Sequence, residues 1–447
     1  MIGNLAEPLD VVGIGVGPFN LSLAALLAGA PDVSALFLEG KPAFSWHPGL
    51  LFDSATLQSP QVKDLVTLAD PTSPYSFLNY LRRQQRLYRF IVADYKAVRR
   101  KEFSAYCRWV SESLDTLAFS SQVDRIGVKG DLFVVHSGER RILARNLALG
   151  VGRPLNVPAE FAPHLGPTVF HGGDYLTRTI PDNARVLVVG GGQTGAEIFH
   201  DLLTRRHGIA ALTWSSRRHN FIPFDESPFA NELYVPGFTK SFVEMRPDRR
   251  AWLLDRQKHS SDAILQGLLE AIYRRLYEME FLEGGRDHVR LLTDQHIASV
   301  RRIGSAWRVE TRSSHDARVV ADFDVVILAT GYRFEFPTVL EPLASRMALD
   351  EQGNFLVNPD FSIVWDGAPD RRIFVHNAAL HSHGWIDPNF AGMAWRSATM
   401  INALAGREVY DLRELSTAVD WAVHVPASAQ DGLAGSTRQA GSAAWVP

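Results

Sequence analysis

Residues 9–20 read LDVVGIGVGPFN and residues 185–197 read RVLVVGGGQTGAE: two short apolar runs, each ending in a glycine-rich turn. A third apolar run, residues 324–333, closes on an Ala-Thr-Gly-Tyr turn, DVVILATGYR. In a strand, turn and helix of this kind the glycines let the backbone approach a pyrophosphate, and the helix N-terminus offers amides and partial positive charge. Two such units imply two dinucleotides, most simply a flavin adenine dinucleotide and a nicotinamide dinucleotide. The expected fold class is therefore α/β, with two Rossmann-like dinucleotide-binding domains.

The first unit reads as a strand over 11–15, a helix over 21–27 and a strand over 35–39, with Glu39 placed to hydrogen-bond a ribose hydroxyl. Its turn carries Gly13, Gly15 and Gly17, and Pro18 takes the third glycine position, which the first turn of a helix tolerates. Asn20 is expected near the pyrophosphate. Helices are expected over 74–86 and 101–114, and a hairpin joins strands 123–128 and 132–136 through Lys129, Gly130 and Asp131. A strand over 146–152, NLALGVG, completes the first half.

The second turn comprises Gly190, Gly191, Gly192, Gln193, Thr194 and Gly195. Its second strand, 211–215, runs into WSSRRHN without an acid. An acid there repels a 2′-phosphate, whereas Ser215, Ser216, Arg217 and Arg218 attract one, so NADPH is favoured. The plainer reading makes the two arginines solvated surface charges. Residues 224–282 lack strand alternation and read as helical from Asp248 onward, with Ile264, Leu268, Leu269, Ile272, Leu276 and Tyr277 at helical spacing. This is expected to be a small inserted helical substrate domain. Strands resume at Val289, and Thr330 and Gly331 return the chain toward the flavin. The expected partition is 1–165 with 334–447 for FAD, 166–225 with 286–333 for NADPH, and 226–285 for the insertion. The tail from Pro426, rich in small and polar residues, is expected to lie loosely on the surface.

Composition removes competing chemistries. A net charge of -3 gives no support for nucleic acid or a membrane surface as partner. No run approaches the ~18 apolar residues of a transmembrane helix, and the N-terminus lacks a signal-peptide pattern, so a cytoplasmic location is expected. A single cysteine, Cys107, cannot form the dithiol of a disulfide reductase, and no HExxH or CxxC spacing suggests a metal. Electrons from reduced flavin then go elsewhere, with dioxygen the obvious acceptor. In FSWHPGLL, residues 44–51, Trp46 and His47 are candidates to line an isoalloxazine, or else ordinary core residues.

FSWHPGLL, LQSPQVKDLVTLADPTSPYSFLNYL (57–81), VVGGGQTGAE, DESPFANE, ATGYR and HGWIDPNFAGMAWRSA together resemble the flavin-dependent N-hydroxylating monooxygenases of hydroxamate siderophore biosynthesis. These are the lysine and ornithine N-monooxygenases, and the likeness runs from about residue 10 to residue 406. SSDAI from Ser260 stands where the ornithine enzymes carry NYSVV, so the chain is more similar to the lysine 6-hydroxylases. The resemblance implies that NADPH reduces FAD, that dioxygen is captured as a C4a-hydroperoxyflavin, and that the terminal amine of a small primary amine is oxidised to a hydroxylamine. It implies FAD contacts from Glu39, Lys41, Trp46, His47, Val123, Pro388, Asn389 and Phe390. Gln58 would sit between the two cofactors. Gly191 to Thr194 and Arg217 would meet NADPH. Lys63, Asn231 and Glu232 would hold the substrate, with Ser260 shared between substrate and nicotinamide. A homo-oligomer, tetramer or dimer, is implied as well.

A free alkylammonium has a pKa of about 10.4, so a site that uses the neutral amine must desolvate it and keep carboxylates away. A cation at the amino-acid end, such as Lys63, suits that need. Relatives acting on amino acids often carry serine where this chain has Ala391, which points toward a diamine, whereas Lys63 has no carboxylate to bind in putrescine or cadaverine. L-lysine is favoured, with L-ornithine and diamines as rivals. A sulfur or carbonyl flavin monooxygenase is a further reading, although no FxGxxxHxxxW/F run lies between the turns. A redox sensor without turnover is the reading from a different class.

Overall fold

The apolar runs become inner, parallel-paired strands of two sheets, the first mixed and the second all parallel, because a strand covered on both faces does not alternate with polar residues. The protein is seen here as a computed structural model that describes residues 7–204, 208–413 and 417–421. In the first sheet β1 (Leu9–Ile14) lies between β2 (Ala35–Leu38) and β6 (Arg140–Leu149), parallel to both. Beyond β2 lies β3 (Leu117–Ala118). The hairpin of β4 (Arg125–Lys129) and β5 (Leu132–Ser137) turns at Gly130 with φ +64° and pairs with the first half of β6. The second half of β6 pairs with a late strand, Ile373–Val375. β6 therefore starts six residues before the expected strand, since Arg140–Ala144 pairs with β5 of the hairpin.

The second sheet is parallel throughout. Counting on along the chain, its strands are β7 (Val169–His171), β8 (Ala184–Val189), β9 (Ile209–Ser215), β10 (Val289–Leu292) and β14 (Val325–Leu328), in the order β10-β9-β8-β14-β7. Between β10 and β14 the chain forms an antiparallel meander, β11 (His296–Ile303), β12 (Ala306–Arg312) and β13 (Arg318–Phe323), and the late strand at Ile373–Val375 is β15. Trp307, Val309 and Phe323 of the meander bury one face of the second sheet with Leu187, Val326 and Leu328.

The first helix, α1 (Pro18–Leu26), begins at the proline, three residues earlier than expected, because the first helical position needs no N–H. The expected helices appear as α2 (Phe77–Arg83) and α4 (Arg100–Glu112), with an unforeseen α3 (Leu87–Val92) between them. In the second half, α5 (Gln193–Thr204) follows the glycine turn. The helical stretch after β9 also begins earlier than expected, at α6 (Pro228–Asn231), followed by α7 (Pro236–Glu244), α8 (Pro247–Arg256) and α9 (Gln266–Phe281). Prolines open three of these four helices.

This stretch divides between two neighbours. Phe238 and Phe242 of α7 pack with Leu233, Tyr234, Trp385 and Ala391. Ile272 and Met279 of α9, with Ile264, join Phe199 and Leu202 of α5 beneath the second sheet. Leu50, Phe52 and Ala55, far earlier in the chain, enter that same cluster. Near the C-terminus α10 (Leu380–His383) leads to α11 (Met393–Ala405), whose Ala394, Ala398 and Ile401 cover α1. Among the described residues no helix is long and apolar enough to cross a membrane. The tail from Pro426 lies outside the described residues.

Candidate active site between two dinucleotide turns

Both turns stand at carboxyl ends of parallel strands where the strand order reverses, the crevice in which open α/β sheets hold ligands. In the first, a Cβ on Gly13 would overlap the Phe37 ring, and Gly15 has φ +83°. At Gly17 a Cβ would meet no atom within 4 Å, which leaves open space for a pyrophosphate. Glu39, one residue past β2, accepts from the N–H groups of Val16 (2.8 Å) and Lys41 (3.0 Å), and so is held at the turn. Lys41 is exposed, with Nζ donating to the Ser45 carbonyl at 3.2 Å.

Two residues expected at this cofactor have other work. The Asn20 amide nitrogen donates to the carbonyls of Gly15 (2.8 Å) and Ala148 (3.1 Å), bracing β1 against β6 rather than reaching outward. The Val123 side chain is buried in the core of the first sheet, leaving only its backbone for a ligand. Farther along, Phe390 meets Phe19, Trp46 and Phe103 at ring-centroid distances of 5.6, 5.6 and 5.2 Å. Trp46 is half-buried beside His47, whose backbone is left-handed at φ +44° and whose Nδ1 lies 3.3 Å from the Tyr332 hydroxyl. Pro388 and Asn389 are half-buried, and Asn389 Oδ1 accepts from the Ala391 N–H at 2.8 Å.

Around Phe19 the fold leaves polar atoms buried without partners: both ring nitrogens of His376, Nε and Nη2 of Arg396, and the side-chain oxygen of Asn377. His376 stacks on Phe19 and Arg396 lies 4.2 Å over the same ring. Burial, with the nearby Arg396 charge, pushes the His376 imidazole well below its ordinary range, so it is neutral and offers one donor and one acceptor. Each orphan costs about 1–3 kcal/mol unless something bonds it. The oxygen- and nitrogen-rich FAD fits such a cradle. Sequence reasoning missed these residues, although the one charged residue in the run MAWRSATMINALA was a signal.

This geometry yields a direct check on the first turn. Gly17→Val meets no atom but replaces the N-cap of α1 with a poor capping residue; it is expected to cost the cofactor-free protein about 1 kcal/mol, and to lower the FAD content of the purified protein at least tenfold. Undiminished FAD would show that the open space beside Gly17 is not the pyrophosphate site.

At the second turn Gly190 has φ +130° and faces the Ala329 carbonyl with no room for a Cβ, and Gly195 abuts the Gly190 carbonyl. Gly192, like Gly17, is open. Thr194 approaches Gly172 with its methyl group. The Gln193 side chain braces the turn, Nε2 donating to Glu197 Oε1 (2.8 Å) and Oε1 accepting from the Leu265 N–H (2.9 Å). The two arginines separate. Arg217 is exposed, whereas the Arg218 guanidinium donates to the carbonyls of Asp262 (2.5 Å) and Gly191 (3.4 Å) and braces the turn. The Ser215 hydroxyl is buried without a partner, and Ser216 Oγ accepts from the Arg218 N–H. Thr330 donates to the Asn156 carbonyl, and the Gly331 carbonyl, at a residue with φ +76°, lies 3.0 Å from His171 Nε2. Because His171 Nδ1 accepts from the Gly173 N–H, Nε2 carries the proton and donates.

Between the turns the fold joins Lys63 to Asn231: Nζ donates to Oδ1 at 3.5 Å across 168 residues of chain. Asn231 Nδ2 donates in turn to the Ser227 carbonyl at 3.1 Å. Asp64, next to Lys63 in sequence, faces inward and accepts from the N–H groups of Val66, Thr67 and Phe77. Burial lowers the Lys63 ammonium below its ordinary pKa. Ala391 is buried in the cluster around α7, and Glu232 is half-buried with Oε2 accepting from the Ala418 N–H at 3.1 Å. Ser260 is buried on the neighbouring segment, where the His259 carbonyl accepts from the Asp225 N–H. Gln58 is exposed. No hydrogen bond among the described residues links Gln58 or Ser260 to Lys63. Burial also pushes the Cys107 thiol far up, leaving it inert.

A model of the family described as L-lysine 6-monooxygenase/L-ornithine 5-monooxygenase matches residues 7–334. The chain is 38% identical over 423 residues to the L-lysine N6-monooxygenase of Escherichia coli, covering 93% of this chain and 99% of that one. Among solved structures, the FAD-bound cadaverine monooxygenase of the desferrioxamine pathway from Erwinia amylovora superposes with a TM-score of 0.87 at 31% identity, covering 93% and 98% of the two chains. The ornithine N-hydroxylase of Kutzneria sp. 744, with reduced FAD, NADP+ and L-ornithine, gives a TM-score of 0.82 at 27% identity, covering 90% and 99%.

Proposed function

Because the chain belongs to the L-lysine 6-monooxygenase/L-ornithine 5-monooxygenase family and is thus an FAD- and NADPH-dependent amine N-hydroxylase of siderophore biosynthesis, we propose that its substrate is L-lysine, hydroxylated on N6. Bound FAD, once reduced by NADPH, supplies the activation of dioxygen, and the polypeptide supplies the rest. Gly13, Gly15 and Gly17 cradle one pyrophosphate and Gly190 to Gly192 the other, with Arg217 at the 2′-phosphate. His376, Asn377 and the Pro388–Phe390 loop border the flavin, and Gln58 and Ser260 flank the place where nicotinamide and substrate meet. Lys63 and Asn231 receive the substrate carboxylate and direct the terminal amine away from themselves. We place the reaction in the cytoplasm, in a homo-oligomer, with the domain partition given above.

One observation carries the choice of lysine. The half-buried Lys63 ammonium has an amide but no carboxylate within salt-bridge reach among the described residues, and burial disfavours its charge. A cation so placed gains most from an anion brought by the ligand. An amino acid brings one, and a diamine does not. The 38% identity to a lysine enzyme supports the same reading. A diamine reading has its own support in Ala391, which offers no hydroxyl, and in the likeness to a cadaverine enzyme.

The test is product detection with L-lysine, L-ornithine, putrescine and cadaverine under NADPH and oxygen. L-lysine is expected to give N6-hydroxylysine with NADPH use coupled to hydroxylation. A clear preference for a diamine or L-ornithine overturns the substrate assignment, and hydrogen peroxide alone from all four amines defeats the N-hydroxylase reading of this chain.

A further inference from the structure

Arg100 opens α4, on the flavin side, and Glu197 lies on the helix whose first turn follows Gly190–Gly192. Arg100 Nη1 donates to Glu197 Oε2 at 2.8 Å, with the two side chains only 15% and 6% exposed. The same nitrogen reaches the carbonyl of Leu50 at 3.4 Å, in the turn that follows His47. The other carboxylate oxygen, Oε1, accepts from Gln193, and Gln193 accepts from the Leu265 N–H, a few residues past Ser260. One line of hydrogen bonds thus runs from the flavin side, through the NADPH turn, to the segment bearing Ser260. Alongside it, Gly49 abuts the Gly173 carbonyl with no room for a Cβ, so the contact between the two halves is already tight at the backbone.

We propose that Arg100 and Glu197 are positioning residues that set the nicotinamide site against the flavin site. Both oxygens of Glu197 are used, Oε2 across to Arg100 and Oε1 within α5 to Gln193, so the carboxylate is held in one orientation toward the flavin half. Burial pushes the Glu197 carboxyl up and the Arg100 charge opposes it, which ties the ionised carboxylate to the presence of its partner. Hydride transfer needs reacting atoms about 3–3.5 Å apart, and a 1 Å misplacement costs roughly 100-fold. A buried ion pair is also a poor device for stability alone, since apolar residues of similar volume often replace one without loss. The role suited to this pair is therefore geometric.

The test measures anaerobic flavin reduction, the passage of one hydride from NADPH to FAD, by stopped flow in the FAD-loaded protein without amine. NADP+ affinity is measured in parallel by calorimetry. Glu197→Gln is expected to slow reduction about 10- to 100-fold while the NADP+ Kd stays within about threefold of wild type, and Arg100→Lys, which keeps the charge and loses the fork, is expected to fall between. The double variant Arg100→Met with Glu197→Leu restores an apolar fit and is expected to be as slow as Glu197→Gln with an undiminished Tm. It decides the matter if Glu197→Gln does not retain FAD. Wild-type reduction rates in the double variant, or a loss of rate matched by an equal loss of NADP+ affinity, overturn the proposal. It rests on the N-hydroxylase reading: a wild-type protein that NADPH does not reduce defeats that reading, whereas a reducible wild type with an equally fast variant defeats only this inference.

Discussion

Lys63→Ala is expected to raise the apparent KM for L-lysine by roughly 10- to 150-fold, the equivalent of about 1.5–3 kcal/mol for a hydrogen bond to a charged group, with far less change in kcat. The KM for cadaverine is expected to move less than about threefold, since that amine has no carboxylate. The asymmetry follows from position. Lys63 sits with Asn231 at one end of the site, and Asp64 beside it is turned into the protein to hold the start of α2. Removing the ammonium thus takes away an interaction made equally in ground and transition states, which appears in KM rather than kcat. Steady-state hydroxylamine formation with both amines checks it. Equal losses for lysine and cadaverine would mean that Lys63 supports the fold of the site and not the carboxylate.

Asp387→Ala is expected to lower stability by about 3–5 kcal/mol, the cost of leaving one partner of a buried ion pair without the other. Asp387 and Arg396 are 0% and 1% exposed and meet at 2.9 Å. The carboxylate also accepts from the N–H groups of Asn377 (3.1 Å) and Ala379 (2.9 Å), and Arg396 donates to the Asp387 carbonyl at 2.6 Å. One residue therefore anchors the end of β15, the loop bearing Pro388–Phe390 and α11. Against the 5–15 kcal/mol of an ordinary domain such a loss is large, and it falls beside His376 and Asn377, which are proposed to border the flavin. Urea unfolding of the FAD-loaded protein measures it, with Asp387→Ala combined with Arg396→Met expected to recover part of the loss. A change below about 1 kcal/mol in the single variant would contradict the burial of the pair.

The glycines were legible because their reason is local: a left-handed φ or a missing Cβ shows in a few consecutive residues. What the polar residues beside them do was less legible. Asn20, Gln193 and Arg218 stand where a ligand contact is expected, yet each side chain braces backbone instead, and a sequence reads the same in either case. Lys63 and Asn231 were paired only through resemblance, since no periodicity links positions 168 residues apart. The Asp387–Arg396 pair had a partial signal: an arginine inside a helix that is otherwise uncharged must find a counter-charge when buried, but its partner lies on the preceding loop and no spacing rule names it. Strand and helix limits shifted where tertiary partners intervened, as at β6, or where proline opened a helix earlier than hydrophobic periodicity began.

Leu50, Phe52 and Ala55 lie early in the chain yet fill space beneath the second sheet. The two nucleotide units are consequently not interchangeable cassettes. A second unit cut out by its own sequence limits would expose an apolar cleft where these three side chains belong, and a chimera assembled from two relatives would have to take this early loop from the same parent as the second sheet. Recombination between such enzymes is thus constrained by a handful of side chains far from any glycine turn, at a place where an alignment of the two halves would show no boundary at all.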